Sequence, residues 1–125
     1  MPRNILFGTP GPDTLDGTLG RDRIVALAGD DTVYGDGRVA PENPSQPLGS
    51  SSLVGANDIL FGDEGNDMLL GDGTASASTG GTATLTGGND KLFGGTDNDT
   101  LYGDGSLSVA FAQGFMFGGD DTLRG

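Results

Sequence analysis

Aspartate is the residue of this chain whose spacing most clearly predicts chemistry. Eight aspartates stand in register, and four of their seven intervals are nine residues long. An aliphatic residue follows each of them two positions later, and glycine precedes most of them by two positions. These anchor aspartates are Asp13, Asp22, Asp31, Asp58, Asp67, Asp90, Asp99 and Asp121. Carboxylates that recur with a turn are typical of a site for a hard cation such as calcium, which takes about six to eight oxygen ligands.

Glycine completes the predicted turns. The chain has 25 glycines among 125 residues, well above the usual share of about 7%. Glycine loses more backbone freedom on folding than any other residue, so this many must occupy positions that exclude a side chain. The turn glycines whose backbone we expect at the cation sites are Gly11, Gly29, Gly65, Gly88 and Gly119.

Five further aspartates lie inside the turns and are additional candidate ligands. They are Asp36, Asp63, Asp72, Asp97 and Asp104. The alternative is that they are solvated turn residues that only raise the local negative potential.

Ala56 and Asp97 stand where the pattern has glycine, and aspartate tolerates a positive φ better than alanine does. We therefore expect the turn with Ala56 to be the weaker cation site.

Charge and composition exclude several classes of function. Eighteen acidic residues and six basic ones give a formal net charge of -12, and a folded chain this acidic repels itself unless cations bind. Nucleic acid is not expected as a partner, because phosphate binding needs clustered Lys and Arg. The sequence has no Cys and no His, so the usual zinc ligands and the commonest general base are missing. We predict no catalytic residues and no enzyme activity.

No stretch of the sequence reaches the roughly 18 apolar residues of a membrane span. The first ten residues, MPRNILFGTP, also lack the apolar stretch of a cleavable signal peptide. We therefore expect neither a membrane span nor such a signal.

The elements that must position the anchors are short strands between turns. Each aliphatic residue after an anchor predicts a strand with one inward side chain, since strand side chains alternate between faces. The clearest unit is GDEGNDMLL at 62–70. It resembles the RTX (repeats-in-toxin, haemolysin-type) calcium-binding nonapeptide G-G-x-G-x-D-x-U-x. The resemblance implies an all-β fold, a right-handed parallel β-roll with two nonapeptides per coil and calcium between successive turns of the same edge.

Three intervals between anchors are long, and each begins with YGDG or LGDG. We interpret 1–125 as a single module with expanded turns at about 38–53, 74–86 and 106–117. Alternate anchors fall on opposite edges of a roll, so all three expanded turns belong to the edge of Asp22, Asp58, Asp90 and Asp121. We expect 38–53 to be irregular and 74–86 to be a β-hairpin. The apolar segment 106–117 is predicted to be either an exposed interface or a cap folded over the roll.

The sequence leaves three functions open. With one aliphatic per strand the core is thin, so we expect the chain to fold only with calcium, with several ions, about six. The first function is a structural or binding module at the cell surface or outside the cell, a location that the resemblance links to type I secretion by a bacterium. The second is a self-assembling surface or filament protein, joined through uncapped ends or the segment 106–117. The third is a C-terminal repeat fragment of a secreted enzyme or toxin.

Overall fold

Fifteen β-strands are the regular elements of the computed structural model, which describes residues 3–39, 50–78, 80–109 and 113–125. The strands are β1 (Asn4–Phe7), β2 (Thr14–Asp16), β3 (Asp22–Val25), β4 (Thr32–Tyr34), β5 (Arg38–Val39), β6 (Ser51–Val54), β7 (Ile59–Glu64), β8 (Met68–Leu70), β9 (Thr74–Ala77), β10 (Thr82–Thr86), β11 (Lys91–Thr96), β12 (Thr100–Tyr102), β13 (Ser106–Val109), β14 (Gln113–Phe117) and β15 (Thr122–Arg124). Among the described residues no helix is long and apolar enough to cross a membrane.

The nonapeptide repeats form a roll of two facing parallel sheets, called the main roll below. One sheet has five strands in the order β1-β3-β7-β11-β15, and the other has four in the order β12-β8-β4-β2. Every strand pairs in parallel with the strand one coil away. The predicted all-β parallel roll is confirmed.

The aliphatic residues after the anchors form the core of the main roll. Its buried members are Ile24, Ala26, Val33, Leu60, Leu69 and Leu92, with Leu6, Leu15 and Leu101 packed against them. Leu123 continues the same inward row in the terminal strand β15, where it is 49% exposed. One inward aliphatic per strand therefore gives a continuous core, but a thin one.

The three insertions form a second roll beside the main roll. β5, β9 and β13 make one parallel sheet, and β6, β10 and β14 make another. Together they enclose a separate core of Leu53, Ala75, Ala77, Ala83 and Leu85, with Leu107 packed against it. The expanded turns are thus coils that stack on one another.

One prediction about the insertions is wrong, and a second is wrong at the ends of its segment. The segment 74–86 is not a hairpin, because β9 pairs with β5 and β13 while β10 pairs with β6 and β14. The alternation of small residues and threonine there reflects inward and outward side chains of two strands in different sheets. The segment 38–53 is not irregular at its ends, where β5 and β6 lie; residues 40–49 lie outside the described residues.

Strands β13 and β14, from the segment 106–117, are the last described strands of the second roll. The exposed apolar side chains of this segment are Val109, Phe115, Met116 and Phe117; Phe111 lies outside the described residues. β14 packs mainly against β10 and β13, so the segment extends the second roll and does not cap the main one.

Candidate metal sites

The anchor aspartates of the first edge form a hydrogen-bonded ladder. The backbone N–H of Asp13 donates to Oδ1 of Asp31 at 2.7 Å, and that of Asp31 donates to Oδ1 of Asp67 at 2.9 Å. The N–H of Asp67 donates in turn to Oδ1 of Asp99 at 3.1 Å. Each carboxylate thereby fixes its own coil in register with the coil that precedes it in the chain.

The other four anchors form a matching ladder on the second edge, from which the insertions leave. The N–H of Asp22 donates to Oδ1 of Asp58 at 2.7 Å, and the N–H of Asp58 donates to Oδ1 of Asp90 at 2.7 Å. The N–H of Asp90 donates to Oδ1 of Asp121 at 3.0 Å. The structure brings the eight predicted residues together in two rows of four.

The second carboxylate oxygen is left free in much of both ladders. Buried Oδ2 atoms without a hydrogen-bond partner occur on Asp31, Asp58, Asp67, Asp72 and Asp90. A buried carboxylate that lacks a partner is costly unless it is protonated or meets a cation. The donor set therefore fits a hard cation that prefers oxygen ligands.

Glycine at the first position of the turn lets the backbone pack closely against the anchor carboxylate and the neighbouring coil. We number the six turn residues so that the anchor is position six. A Cβ on Gly35 would overlap the carbonyl oxygen of Gly71 and lie 2.7 Å from Oδ2 of Asp58, and a Cβ on Gly8 would overlap the carbonyl oxygen of Ala26 and lie 2.8 Å from Oδ2 of Asp13. Real Cβ contacts are not this short, so this close approach requires glycine.

Three turns of the first edge share an unusual backbone. Their second and fourth positions have positive φ: Leu27 and Gly29 (85° and 119°), Asp63 and Gly65 (76° and 131°), and Gly95 and Asp97 (116° and 79°). Asp97 thus adopts the glycine-like conformation that its position predicts. Asp63 and Asp97 have exposed side chains, so they do not join the buried carboxylates.

In the first two turns, a threonine donates hydrogen bonds to the anchor carboxylate. The N–H and Oγ1 of Thr18 both donate to the carboxylate of Asp22. The N–H and Oγ1 of Thr9 donate to Oδ2 of Asp13 at 2.5 and 2.9 Å. Threonine at position two therefore supplies donors to the oxygen that is free in other turns. A cation would compete with these hydrogen bonds.

Each insertion divides a turn of the second edge between positions two and four. Position two is an aspartate in all three, and we call these residues the entry aspartates: Asp36, Asp72 and Asp104. Their carboxylates accept the N–H groups of Ala56 (3.0 Å), Gly88 (2.8 Å) and Gly119 (2.8 Å), respectively. These bonds close the divided turns. Ala56 has no positive φ, so the backbone strain expected of alanine there does not arise.

Burial strongly raises the pKa values of several aspartates on the second edge. Desolvation raises the pKa of Asp36 to about 9, with the charge of Asp58 adding to it. Burial also raises the pKa of Asp90 to about 8, that of Asp58 to about 7 and that of Asp72 to about 6, against the amide hydrogen bonds that lower them. The pKa values of Asp31, Asp67 and Asp121 are raised by burial as well. A cation would offset this cost most on the second edge.

A second side-chain ladder runs beside the anchors, and the site predicted from the sequence did not include it. The N–H of Asn66 donates to Oδ1 of Asp30 at 2.9 Å, and the N–H of Asn98 donates to Oδ1 of Asn66 at 3.0 Å. On the other edge, Asn57, Asn89 and Asp120 are linked in the same way at 2.9 and 2.8 Å. The signal was present in the sequence, because Asn or Asp directly precedes six of the eight anchors.

Side chains alone do not complete a metal cage. Within the described ranges, no three acidic side chains converge on one point as a metal-binding group. Each site would therefore combine one or two carboxylates with backbone carbonyl oxygens of the turns, a ligand set that calcium accepts. Bound there, calcium would supply the positive charge that the buried oxygens lack.

Comparison with known proteins agrees with this geometry. The family model of the RTX calcium-binding nonapeptide repeat (4 copies) matches residues 7–37, 55–75 and 84–106, more than half of the chain. Between these ranges, the described residues 38–39, 50–54, 76–78 and 80–83 belong to the second roll. No curated protein and no solved structure gives a significant match. The chain belongs to the RTX calcium-binding nonapeptide repeat family and is a calcium-binding repeat module.

Proposed function

We propose that this chain is a module that folds when calcium binds along both edges of the main roll. The observation that carries the proposal is the set of five buried carboxylate oxygens without a hydrogen-bond partner among the described residues. Without a cation these oxygens favour unfolding or protonation, because water solvates a carboxylate better than the roll does. Calcium binding to the folded state alone then shifts the equilibrium toward folding.

The ligands in this proposal are the eight anchor aspartates and the turn backbone. Each ladder has four anchors and so three gaps between coils, which gives about six ions for two edges. The turn glycines Gly11, Gly29, Gly65, Gly88 and Gly119 belong to these gaps. We expect the gaps at Asp13 and Asp22 to bind more weakly, since Thr9 and Thr18 already donate to those carboxylates.

The site of action in this proposal is the cell surface or the medium. Extracellular calcium modules can use sites with dissociation constants of about 0.1–1 mM, whereas cytosolic sensors need much tighter ones. A module with weak sites stays unfolded in the cell and folds outside, which suits type I secretion by a bacterium. Its role would be structural or binding, since the sequence offers neither His nor Cys for catalysis.

Circular dichroism tests the proposal directly. Purified chain in chelator should lack most of the strand signal, and calcium should restore it while the same concentration of magnesium should not. Magnesium is the matched control because it demands stricter octahedral geometry and keeps its water. A complete strand signal in chelator, unchanged by calcium, would exclude folding on calcium.

Self-association is a second candidate function, favoured by the apolar end of the second roll. β14 is the last strand of its sheet, and an unpaired strand edge is a template for pairing with another chain. It exposes Phe115 by 48% and Phe117 by 59%. Light scattering of the calcium-loaded chain should then show oligomers that grow with concentration and that Phe117→Ser reduces. A monomer at every concentration would rule this function out.

A further inference from the structure

We propose that the junction between the two rolls holds a second row of divalent cations. Each ion would lie between an entry aspartate and the anchor of the same divided turn: Asp36 with Asp58, Asp72 with Asp90, and Asp104 with Asp121. The inference rests on the proposed calcium binding. It adds a carboxylate that the nonapeptide pattern lacks, because that pattern has glycine at turn position two.

Burial of carboxylates from both sides of the junction is the first observation. Asp72 is 0% exposed, and while its Oδ1 accepts the N–H of Gly88, its Oδ2 has no hydrogen-bond partner. Asp58 and Asp90 are each 1% exposed, and their Oδ2 atoms also lack partners. The entry row thus contributes a free, fully buried oxygen at Asp72, and the anchor row contributes those of Asp58 and Asp90.

The charge balance of the junction is the second observation. Asp36, Asp58, Asp72 and Asp90 are all buried, and they lie close enough to perturb one another electrostatically. In the part of the chain that the structure describes, the one ion pair joins Arg38 to the exposed Asp16. No basic side chain therefore neutralises the buried carboxylates, and only protons or bound cations can do so.

Glycines at the ends of the insertions lie directly against the carboxylates of the junction. A Cβ on Gly55 would overlap Oδ1 of Asp72 and lie 3.0 Å from Oδ2 of Asp36, and a Cβ on Gly87 would overlap Oδ1 of Asp104 and lie 2.7 Å from Oδ2 of Asp72. Any larger residue would displace these carboxylates. The arrangement of the buried charges therefore depends on glycine at both positions.

The competing explanation is that the entry aspartates only close the divided turns through their bonds to backbone N–H groups. At Asp72 that role uses Oδ1 alone, whereas Asp36 accepts the N–H of Ala56 with both oxygens. The neutral amide of asparagine would perform it without burying a charge. It leaves Oδ2 of Asp72 unpaired unless the carboxyl of Asp36 is protonated and donates to it. The contrast with Asp63 is informative, because Asp63 occupies the same turn position on the undivided edge and is exposed to water.

The test compares three substitutions of Asp by Asn at different places in the turn. Asp72→Asn keeps an acceptor for Gly88 but removes the charge at the junction. Asp63→Asn is the matched control at an exposed position two, and Asp67→Asn removes an anchor. Bound calcium per chain is counted by native mass spectrometry and its affinity by calorimetry, and the folded fraction is measured by circular dichroism both in chelator at pH 5 and in saturating calcium.

We expect Asp72→Asn to bind one ion fewer than the parent chain, or to bind its weakest ion at least tenfold less tightly. Its stability in chelator should equal or exceed that of the parent, because a buried uncompensated charge is gone. Asp63→Asn should match the parent in both measurements, while Asp67→Asn should also lose an ion.

If Asp72→Asn keeps every ion at parental affinity while Asp67→Asn loses one, the junction holds no cation and the proposed function stands. If Asp67→Asn loses none either, the proposed function itself fails. An equal loss of stability for Asp72→Asn in chelator and in calcium would show a purely structural role. Should Asp72→Asn not fold in calcium, Asp104→Asn at the half-buried end of the row makes the same comparison.

Discussion

The backbone N–H of Asp58 donates a 2.7 Å hydrogen bond to Oδ1 of Asp90, 32 residues further along the chain. The bond gives the two carboxylate oxygens of Asp90 different roles. Oδ1 fixes the register of neighbouring coils, while Oδ2 is buried without a partner. The same side chain therefore holds the coils in step and leaves a buried oxygen that calcium would meet if folding is coupled to calcium binding as proposed.

Acid should stabilise the calcium-free roll. Burial raises the pKa of Asp36 to about 9, that of Asp90 to about 8 and that of Asp58 to about 7, from an ordinary value of 3.8. The folded state thus holds more protons than the unfolded state between these values. The stability gained is complete below about pH 4 and is lost as the pH rises through about 7 to 9.

Circular dichroism in chelator at pH 5 and pH 8.5 measures this effect. We expect a larger folded fraction, and so more strand signal, at pH 5. In saturating calcium the order should reverse, because protons compete with the cation for the same oxygens. Stability in chelator that increases with pH would show that these carboxylates are not buried in the calcium-free chain.

Removing one anchor should weaken calcium binding far more than removing an exposed charge. Asp90→Ala deletes the free Oδ2 and also leaves the N–H of Asp58 without its acceptor, so we expect at least a tenfold loss of affinity, about 1.4 kcal/mol. Asp120→Ala is the control, since it removes one exposed negative charge from the same edge. Calorimetry measures the calcium affinity of both variants. An equal loss of affinity in the two would mean that only the overall charge matters.

A methyl group at the first turn position should destabilise the calcium-loaded roll. A Cβ on Gly35 would overlap the carbonyl oxygen of Gly71 and lie 2.7 Å from Oδ2 of Asp58. We expect Gly35→Ala to cost more than about 2 kcal/mol. Gly20→Ala is the control, because the nearest atom to its Cβ would be Oγ1 of Thr18 at 3.7 Å. Thermal unfolding in calcium compares them, and similar midpoints would refute the steric argument.

The main roll could be predicted from the sequence because its signal is periodic and local. A nine-residue interval places Asp22 and Asp31 on opposite edges whatever the rest of the chain does, and the ladders follow that assignment. Asn66 and its neighbours beside the anchors were equally visible in the spacing. The burial of Asp72 was not, since it depends on the second roll that covers it.

The second roll could not be predicted because its pairing is non-local. Thr84 pairs with Ser52 and Phe115, which belong to two other insertions. The insertions differ in length and lack anchors, so no sequence repeat predicts that their strands pair with one another. Alternating small residues such as Ala83 fit a hairpin and a parallel coil equally well, and only the partner strands distinguish the two.

The core of the second roll leads to the last prediction, which separates a packed roll from loops. Leu85 is 0% exposed and packs with Leu53, Ala83 and Leu107, so Leu85→Ala should cost about 2–5 kcal/mol in calcium. Leu19 is 65% exposed in a turn of the main roll, and Leu19→Ala should change stability by less than about 0.5 kcal/mol. Chemical unfolding of both variants with saturating calcium makes the comparison. If the insertions were solvated loops, the two substitutions would be equally harmless, because neither would open a cavity.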